Sequence, residues 1–408
     1  MDGVKLRSIK ENIRAYVPKD YAGSVAEGQV QVDCSLGVNS DLLGDCIFQR
    51  LHQFEQKIVL REGNYVTVLN EGNYEEIKYY PHDETLKEEL ARWYHRNGIG
   101  EDWLTAENFV LGNGSYDILC NMNLLCLGPG RKVLGHAPQF TAYIDHVACT
   151  GSGYEAWRLP KQQNYAFDPE GYLAAMDDSF DLFIIENPNN PTGQMLPLAT
   201  VRKIAKRALE MEKILIVDEA YGEYIPFGVS AINLVEDYPN VLVTRSFSKG
   251  WGMAGVRLGY GVASTKTDLL EQLQKLVLPF NSNAVARTLA ESALKTKLQN
   301  PEDPFGIWPV IRNKQRLLDK IEEYATKYDR GLKVAHTHFS TPILMLYYDG
   351  RQQNFHLARH LLKHGILTVS CETYEGVGQE AVRIMLPETE KMPLLLKLLE
   401  QAVADLPE

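Results

Sequence analysis

Short, unbroken apolar runs recur between residues 108 and 245 and constrain the fold of this chain more than any other feature. Phe109-Val110-Leu111, Val133-Leu134, Phe183-Ile184-Ile185, Ile214-Leu215-Ile216-Val217 and Val241-Leu242-Val243 each stop at a turn or a polar residue. A strand that is apolar at every position, rather than every second one, is covered on both faces. Helix-like stretches such as Leu198 to Met211 lie between the runs. Strands alternating with helices predict an α/β architecture, with a mainly parallel central sheet flanked by helices. Such sheets gather their chemistry beyond the carboxyl ends of the strands. Polar blocks stand there: Asn187 to Gly193 follows one run, Asp218 the next, and Ser246 to Lys249 the third.

The flanking regions read differently. Residues 1 to about 45 lack clear periodicity and are expected to form an N-terminal arm or loop. Thr85-Leu86-Lys87-Glu88 fits a capping box, and Leu86, Leu90, Trp93 and Tyr94 follow at helical spacing. Past about 300, helical runs (Ile311 to Tyr328, Phe355 to His364, Met392 to Val403) surround the strand-like Ile343 to Tyr348 and Val382 to Leu386, which predicts a smaller α+β domain. The expected division is an arm over 1–45 that carries a substrate loop and joins the small domain, a large domain over 46–295, and a small domain over 296–408.

Composition narrows function by exclusion. Lys+Arg number 42 against 53 Asp+Glu, a net charge of −11, and this acidic balance argues against a nucleic-acid partner. No run of about 18 apolar residues suggests a membrane span. The N-terminus lacks the apolar region of a secretory signal, so a cytoplasmic location is expected. Six cysteines form no C-x-x-C pair, which indicates neither a zinc framework nor a redox couple. His356, His360 and His364 recur every four residues and are expected to share one solvated helix face; His336-Thr337-His338 reads as ordinary surface, and no metal site is expected.

The chemical signal lies in three blocks: Asn187-Pro188-Asn189-Asn190-Pro191-Thr192-Gly193, Val217-Asp218-Glu219-Ala220-Tyr221, and Ser246-Phe247-Ser248-Lys249 with Arg257. Each alone is weak, since a turn, a helix cap and a solvated lysine would explain them. Their order and spacing, with Asn190, Asp218, Lys249 and Arg257 separated by 28, 31 and 8 residues, are the informative part. Together they resemble the fold-type-I pyridoxal 5'-phosphate (PLP) enzymes of the class I/II aminotransferase family, with histidinol-phosphate aminotransferase-like members nearest. The likeness runs from about residue 33 to about 386.

That resemblance implies the aspartate aminotransferase-like fold of PLP-dependent transferases and a role for each matching residue. Lys249 would hold PLP as a Schiff base and then move a proton at the substrate α-carbon. Asp218 would face the pyridine nitrogen and keep it protonated. Asn190 and Tyr221 would hydrogen-bond the ring oxygen, Asn190 also bordering substrate. Gly114, Ser115 and Tyr116, at an apparent helix start, would offer backbone amides to the phosphate. Ser246, Ser248 and Arg257 would complete that cradle. Gly112-x-Gly114 lacks the third glycine of a dinucleotide site, so a Rossmann reading is rejected. Phe140 stands where the family stacks an aromatic ring on the pyridine. Tyr80 matches a tyrosine that reaches the phosphate of a neighbouring subunit, which implies a homodimer with shared active sites. Arg383 matches the arginine that grips the substrate α-carboxylate. Gly37 and Asn39 lie on an N-terminal loop that relatives use over the substrate.

The expected function is therefore transamination of a small-molecule amino acid or related primary amine. The same cofactor also serves decarboxylases and lyases or cyclases acting on side-chain-hydroxylated amino acids such as hydroxyarginine, and these are the alternatives. Leu36-Gly37-Val38-Asn39-Ser40-Asp41 replaces the Asn-Glu-Asn-Pro stretch usual in histidinol-phosphate aminotransferases, and Asp41 there points to a cationic substrate side chain. A catalytically silent relative would be expected to lack part of the set Asn190, Asp218, Tyr221, Lys249, Arg257 and Arg383, which is intact here.

Overall fold

The computed structural model describes residues 30–35, 84–296 and 307–407. In chain order, a short strand β1 (Val32–Asp33) and helix α1 (Glu84–Arg96) come first. A run of strands and helices follows: β2 (Phe109–Gly112), α2 (Ser115–Cys126), β3 (Lys132–Ala137), α3 (Thr141–Cys149), β4 (Gly153–Arg158), α4 (Pro169–Ala175), β5 (Leu182–Glu186), α5 (Leu198–Glu210), β6 (Ile214–Asp218), β7 (Val241–Ser246), β8 (Gly259–Ala263), α6 (Leu269–Gln274) and α7 (Ala284–Thr296).

These strands form one seven-stranded sheet in the order β2-β8-β7-β6-β5-β3-β4. Only β8 runs against its neighbours, pairing antiparallel with both β7 and β2. The unbroken apolar runs are explained by what lies on either side. Phe183, Ile185, Leu215, Val217, Val241 and Val243 face a core shared with α1, α5 and α7, whereas Leu182, Ile184, Ile216 and Leu242 face a second core shared with α2, α3 and α6. Burying each such side chain is worth about 1.5–3 kcal/mol.

Two strands of this sheet carry no apolar run, each for a local reason. β4, Gly153-Tyr154-Glu155-Ala156-Trp157-Arg158, is the sheet edge, alternately exposed and half-buried, so it lacks a continuous apolar run. β8, Gly259-Tyr260-Gly261-Val262-Ala263, is glycine-rich and lacks the β-branched composition that marks strands.

Beyond residue 306 the chain forms α8 (Ile307–Tyr328), β9 (Leu332–Val334), β10 (Ile343–Tyr348), α9 (Leu357–Lys363), β11 (Ile366–Leu367), β12 (Val369–Ser370), β13 (Ala381–Met385) and α10 (Met392–Ala404). An antiparallel sheet runs β12-β13-β10-β9, backed by Leu317 and Ile321 of α8 and by Leu395, Leu399 and Val403 of α10. β1 pairs parallel with β11, so residues 32–33, expected to be loop, are strand.

Three further expectations need correction. Thr85, read as an N-cap, lies inside α1, which is helical from Glu84. His360 and His364 do lie side by side, ring centroids 5.1 Å apart, but the three histidines do not form one solvated face. His356 caps α9 by accepting the Arg359 N–H, half-buried His360 bonds the Ala402 carbonyl of α10, and His364 lies just past the helix end. The 336–338 segment is also more engaged than surface, because Thr337 Oγ1 accepts from Lys314 Nζ at 2.7 Å. Lys314 is fully buried on α8 and also donates to Thr341 Oγ1 and to the Ile343 carbonyl. Thr341 in turn donates to the Gly193 carbonyl at 2.8 Å, tying this second region to the loop after β5.

Candidate active site

The carboxyl ends of β5, β6 and β7 lie side by side, with Glu186 opposite Asp218 and Asp218 opposite Thr244. A cavity of about 270 Å³ opens there. Eleven of the residues singled out in the sequence line it. They are Gly114, Ser115, Tyr116, Phe140, Asn190, Asp218, Tyr221, Ser246, Ser248, Lys249 and Arg257. Gly37, Asn39, Asp41 and Tyr80 lie outside the described residues.

Asp218 ends β6 and is only 6% exposed. Thr244 Oγ1 on the neighbouring strand donates to its Oδ1 at 2.8 Å, and the Ala220 N–H donates to the same oxygen at 3.1 Å. Burial still dominates, pushing the acid up to about 6 against those two bonds. The chain turns after Asp218 so that Tyr221 enters the cavity wall, and Lys249 Nζ stands 5.3 Å from the centre of the Tyr221 ring.

Another part of the cavity lining is built from donors. Helix α2 begins at Ser115, and its cap Gly114 has φ +84°, a conformation that costs glycine little. Arg257, itself left-handed at φ +56°, donates through Nη1 to Ser248 Oγ at 3.3 Å and to the Ala254 carbonyl at 2.7 Å. A Cβ on residue 114 would come within 2.8 Å of Arg257 Nη2. A Cβ on Gly259, where β8 starts, would collide with the Ser115 backbone nitrogen. Both glycines thus keep a helix N-terminus and a guanidinium close enough to bind one anion together.

The loop after β5 holds itself in shape. Asn187 exchanges hydrogen bonds with the Leu196 backbone, and Thr192 Oγ1 donates to Asn189 Oδ1 at 2.6 Å. Asn190 is thereby presented to the cavity. Its Oδ1 accepts from Arg383 Nη1 at 3.1 Å and from Tyr374 OH at 3.4 Å. Arg383, on β13 and 1% exposed, also donates to the Ser35 carbonyl at 3.0 Å. Arg383 does not line the cavity itself, but its contact with Asn190 brings the antiparallel sheet to the cavity's edge.

Two lining residues fall outside the blocks read from the sequence, Glu186 and Ala254, while Pro188 and Ala220 line the cavity from within those blocks without a role assigned to them. Glu186 was the legible one. A carboxylate ending an otherwise apolar strand, one position before the Asn187 block, is a polar group placed where the sheet puts its chemistry.

Comparison with known proteins gives a consistent result. Residues 35–399 match the family described as aminotransferase class I and II. Histidinol-phosphate aminotransferase 1 of Carboxydothermus hydrogenoformans is 30% identical over 72% of this chain and 77% of that protein. Histidinol-phosphate aminotransferase 1 of Cupriavidus pinatubonensis is 37% identical over 48% of this chain and 50% of that protein. In fold, the chain superposes on a Sinorhizobium meliloti histidinol-phosphate aminotransferase in complex with pyridoxal-5'-phosphate with a TM-score of 0.72 at 20% identity, covering 97% of this chain and 100% of that one. A Thermus thermophilus aspartate aminotransferase with maleate superposes with a TM-score of 0.68 at 18% identity, covering 91% and 92%.

Proposed function

Because the chain belongs to the aminotransferase class I and II family and is a PLP-dependent aminotransferase, we propose that the cavity at the ends of β5, β6 and β7 is its active site and that Lys249 is the residue that carries PLP. The observation that supports this most is the convergence of Lys249, the buried Asp218 carboxylate and an anion cradle on a single cavity.

The residues present fit the group. Amides of Gly114, Ser115 and Tyr116 with Ser246, Ser248 and Arg257 suit a phosphate at one end, and the Asp218 carboxylate suits a protonated ring nitrogen at the other. Side chains at 114 or 259 would crowd the cradle. PLP, when bound, supplies an electron sink for the bond broken at the substrate α-carbon.

The protein's own contributions follow from geometry. Lys249 Nζ would hold the cofactor, and its amine, when free, would move the proton at the substrate α-carbon. Asp218, dry and pinned by Thr244, offers its charge to a ring cation without reorganising. Tyr221 and Asn190, both lining the cavity, would hydrogen-bond the ring oxygen, and Phe140 would stack on the ring. Arg383, held at the cavity's edge by its bond to Asn190, would bind the α-carboxylate of an amino acid through its guanidinium. We read the partner as a second copy of this chain, whose Tyr80 would reach the phosphate, while the loop carrying Gly37 and Asn39 would lie over the substrate. Leu278, Phe280 and Val285, close in sequence and 72%, 56% and 42% exposed, are apolar side chains that would suit such a contact.

The test is chemical. Borohydride treatment of wild-type protein with PLP should fix the cofactor's mass on the peptide containing Lys249, and Lys249→Ala should lose both the fixed mass and turnover. A fixed mass on another peptide would sink the assignment. A panel of amino acids and histidinol phosphate, offered without keto acid, reads the reaction. Conversion of the cofactor to its amine form marks transamination, whereas its return with ammonia or water release marks elimination.

A further inference from the structure

We propose that Glu186 is a positioning residue that sets the spacing between the two walls of the cofactor site, an inference that rests on the site assignment above. Glu186 ends β5, is 5% exposed and borders the cavity directly. Its two carboxylate oxygens reach to opposite sides. Oε1 accepts the backbone N–H of Phe140 at 2.7 Å, on the loop that follows β3. Oε2 accepts the backbone N–H of Asn190 at 3.0 Å and Asn189 Nδ2 at 2.9 Å, on the loop that follows β5. One carboxylate thus joins Phe140, which would stack on the cofactor ring, to Asn190, which would bond its oxygen.

A second set of bonds holds the same two loops and orients Glu186. The Glu186 N–H donates to His136 Nε2 at 3.1 Å, while His136 Nδ1 lies 3.0 Å from the Pro138 carbonyl. A neutral imidazole with its proton on Nδ1 satisfies both contacts, and burial holds this histidine neutral by lowering it to about 4. Asn189 Nδ2 also donates to the Pro138 carbonyl at 3.0 Å. β3 and β5 are adjacent strands, so the ties cross the shortest gap between the loops. Phe140 and Asn190 are 50 residues apart in sequence, and neither fixes the other without such a bridge.

Glu186→Gln isolates the role. A carboxylate accepts on both oxygens, whereas an amide keeps one acceptor and turns an NH₂ toward an N–H that needs one, so one wall is released whichever way it flips. The variant should bind PLP about tenfold or more weakly, the scale of a lost charge-assisted hydrogen bond. It should also change the visible circular dichroism of the bound cofactor and move the pH midpoint of its visible band, because ring tilt and edge contacts change together. Wild-type-like affinity, dichroism and pH midpoint in Glu186→Gln would overturn the proposal. A purely structural role would lower stability and leave the dichroism and midpoint of the bound cofactor as in wild type. Hydrogen exchange of the wild-type protein, read by mass spectrometry, keeps the test decisive if the variant fails to fold. The Phe140 and Asn190 amides should exchange slowly with or without cofactor, and fast exchange at either in the cofactor-free protein contradicts the bridge. Wild-type protein that takes up no PLP would instead defeat the site assignment, a result distinguishable from both.

Discussion

Asp218 shows how a residue can be costly to the fold and still be the one the chemistry needs. Buried between β5 and β7, its carboxyl is raised to about 6 from an ordinary value of 3.8, burial outweighing the bonds from Thr244 and Ala220. A folded-state value above the unfolded one means that the native protein holds its proton longer. The stabilising contribution is complete below pH 4 and is lost as pH rises through 6. Without PLP to oppose the charge, Asp218→Asn should therefore unfold less readily than wild type at pH 7, by roughly 2–3 kcal/mol at most, with the gap closing toward pH 4.5. Asparagine Oδ1 can still accept from both partners, so the effect isolates the charge. Urea unfolding of cofactor-free proteins at the two pH values reads it, and a variant less stable at pH 7 would contradict the account. The same variant should bind PLP poorly, since a neutral amide cannot hold a ring cation.

At the scale of elements, the site depends on where strands stop and helices begin. Strand β8 was hidden in the sequence by its glycines, and Gly259 explains why they are there: the strand passes so close to the start of α2 that a methyl group would strike the Ser115 nitrogen. Gly259→Ala should push α2 away from Arg257, lower stability by about 1–3 kcal/mol and weaken PLP binding. Fluorescence titration with PLP and unfolding of the cofactor-free protein measure the two effects, and unchanged affinity would show that the helix start is not held by this contact. Gly114, at φ +84° beside Arg257, belongs to the same constraint.

At the scale of the molecule, contacts between distant segments assemble what no element contains. Arg383 of β13 reaches Asn190 after β5 and Ser35 after β1, and buried Lys314 of α8 is linked through Thr341 to Gly193. The proposed homodimer extends this to a second chain. Sedimentation should give twice the 46.1 kDa of one chain, and Leu278→Glu with Phe280→Glu should shift the population toward monomer. A wild-type protein that sediments as a single chain at micromolar concentration would remove the partner from the site.

Local pattern and covalent order determined much of this protein. The doubly covered strands β5, β6 and β7 were legible because each carries an unbroken apolar run, and the polar groups at or just beyond their carboxyl ends, Asn190, Asp218 and Lys249, were legible because parallel sheets gather chemistry there. Residues whose meaning depends on a neighbour far along the chain were not legible. The two oxygens of Glu186 acquire a role only when the loops after β3 and β5 meet, and Gly259 only when β8 passes α2. His360 reads as solvated until α10 supplies the Ala402 carbonyl. Periodicity reports which faces of an element are covered, because burial leaves its mark residue by residue. Which partner does the covering is a property of through-space distance, and only the tertiary structure decides it.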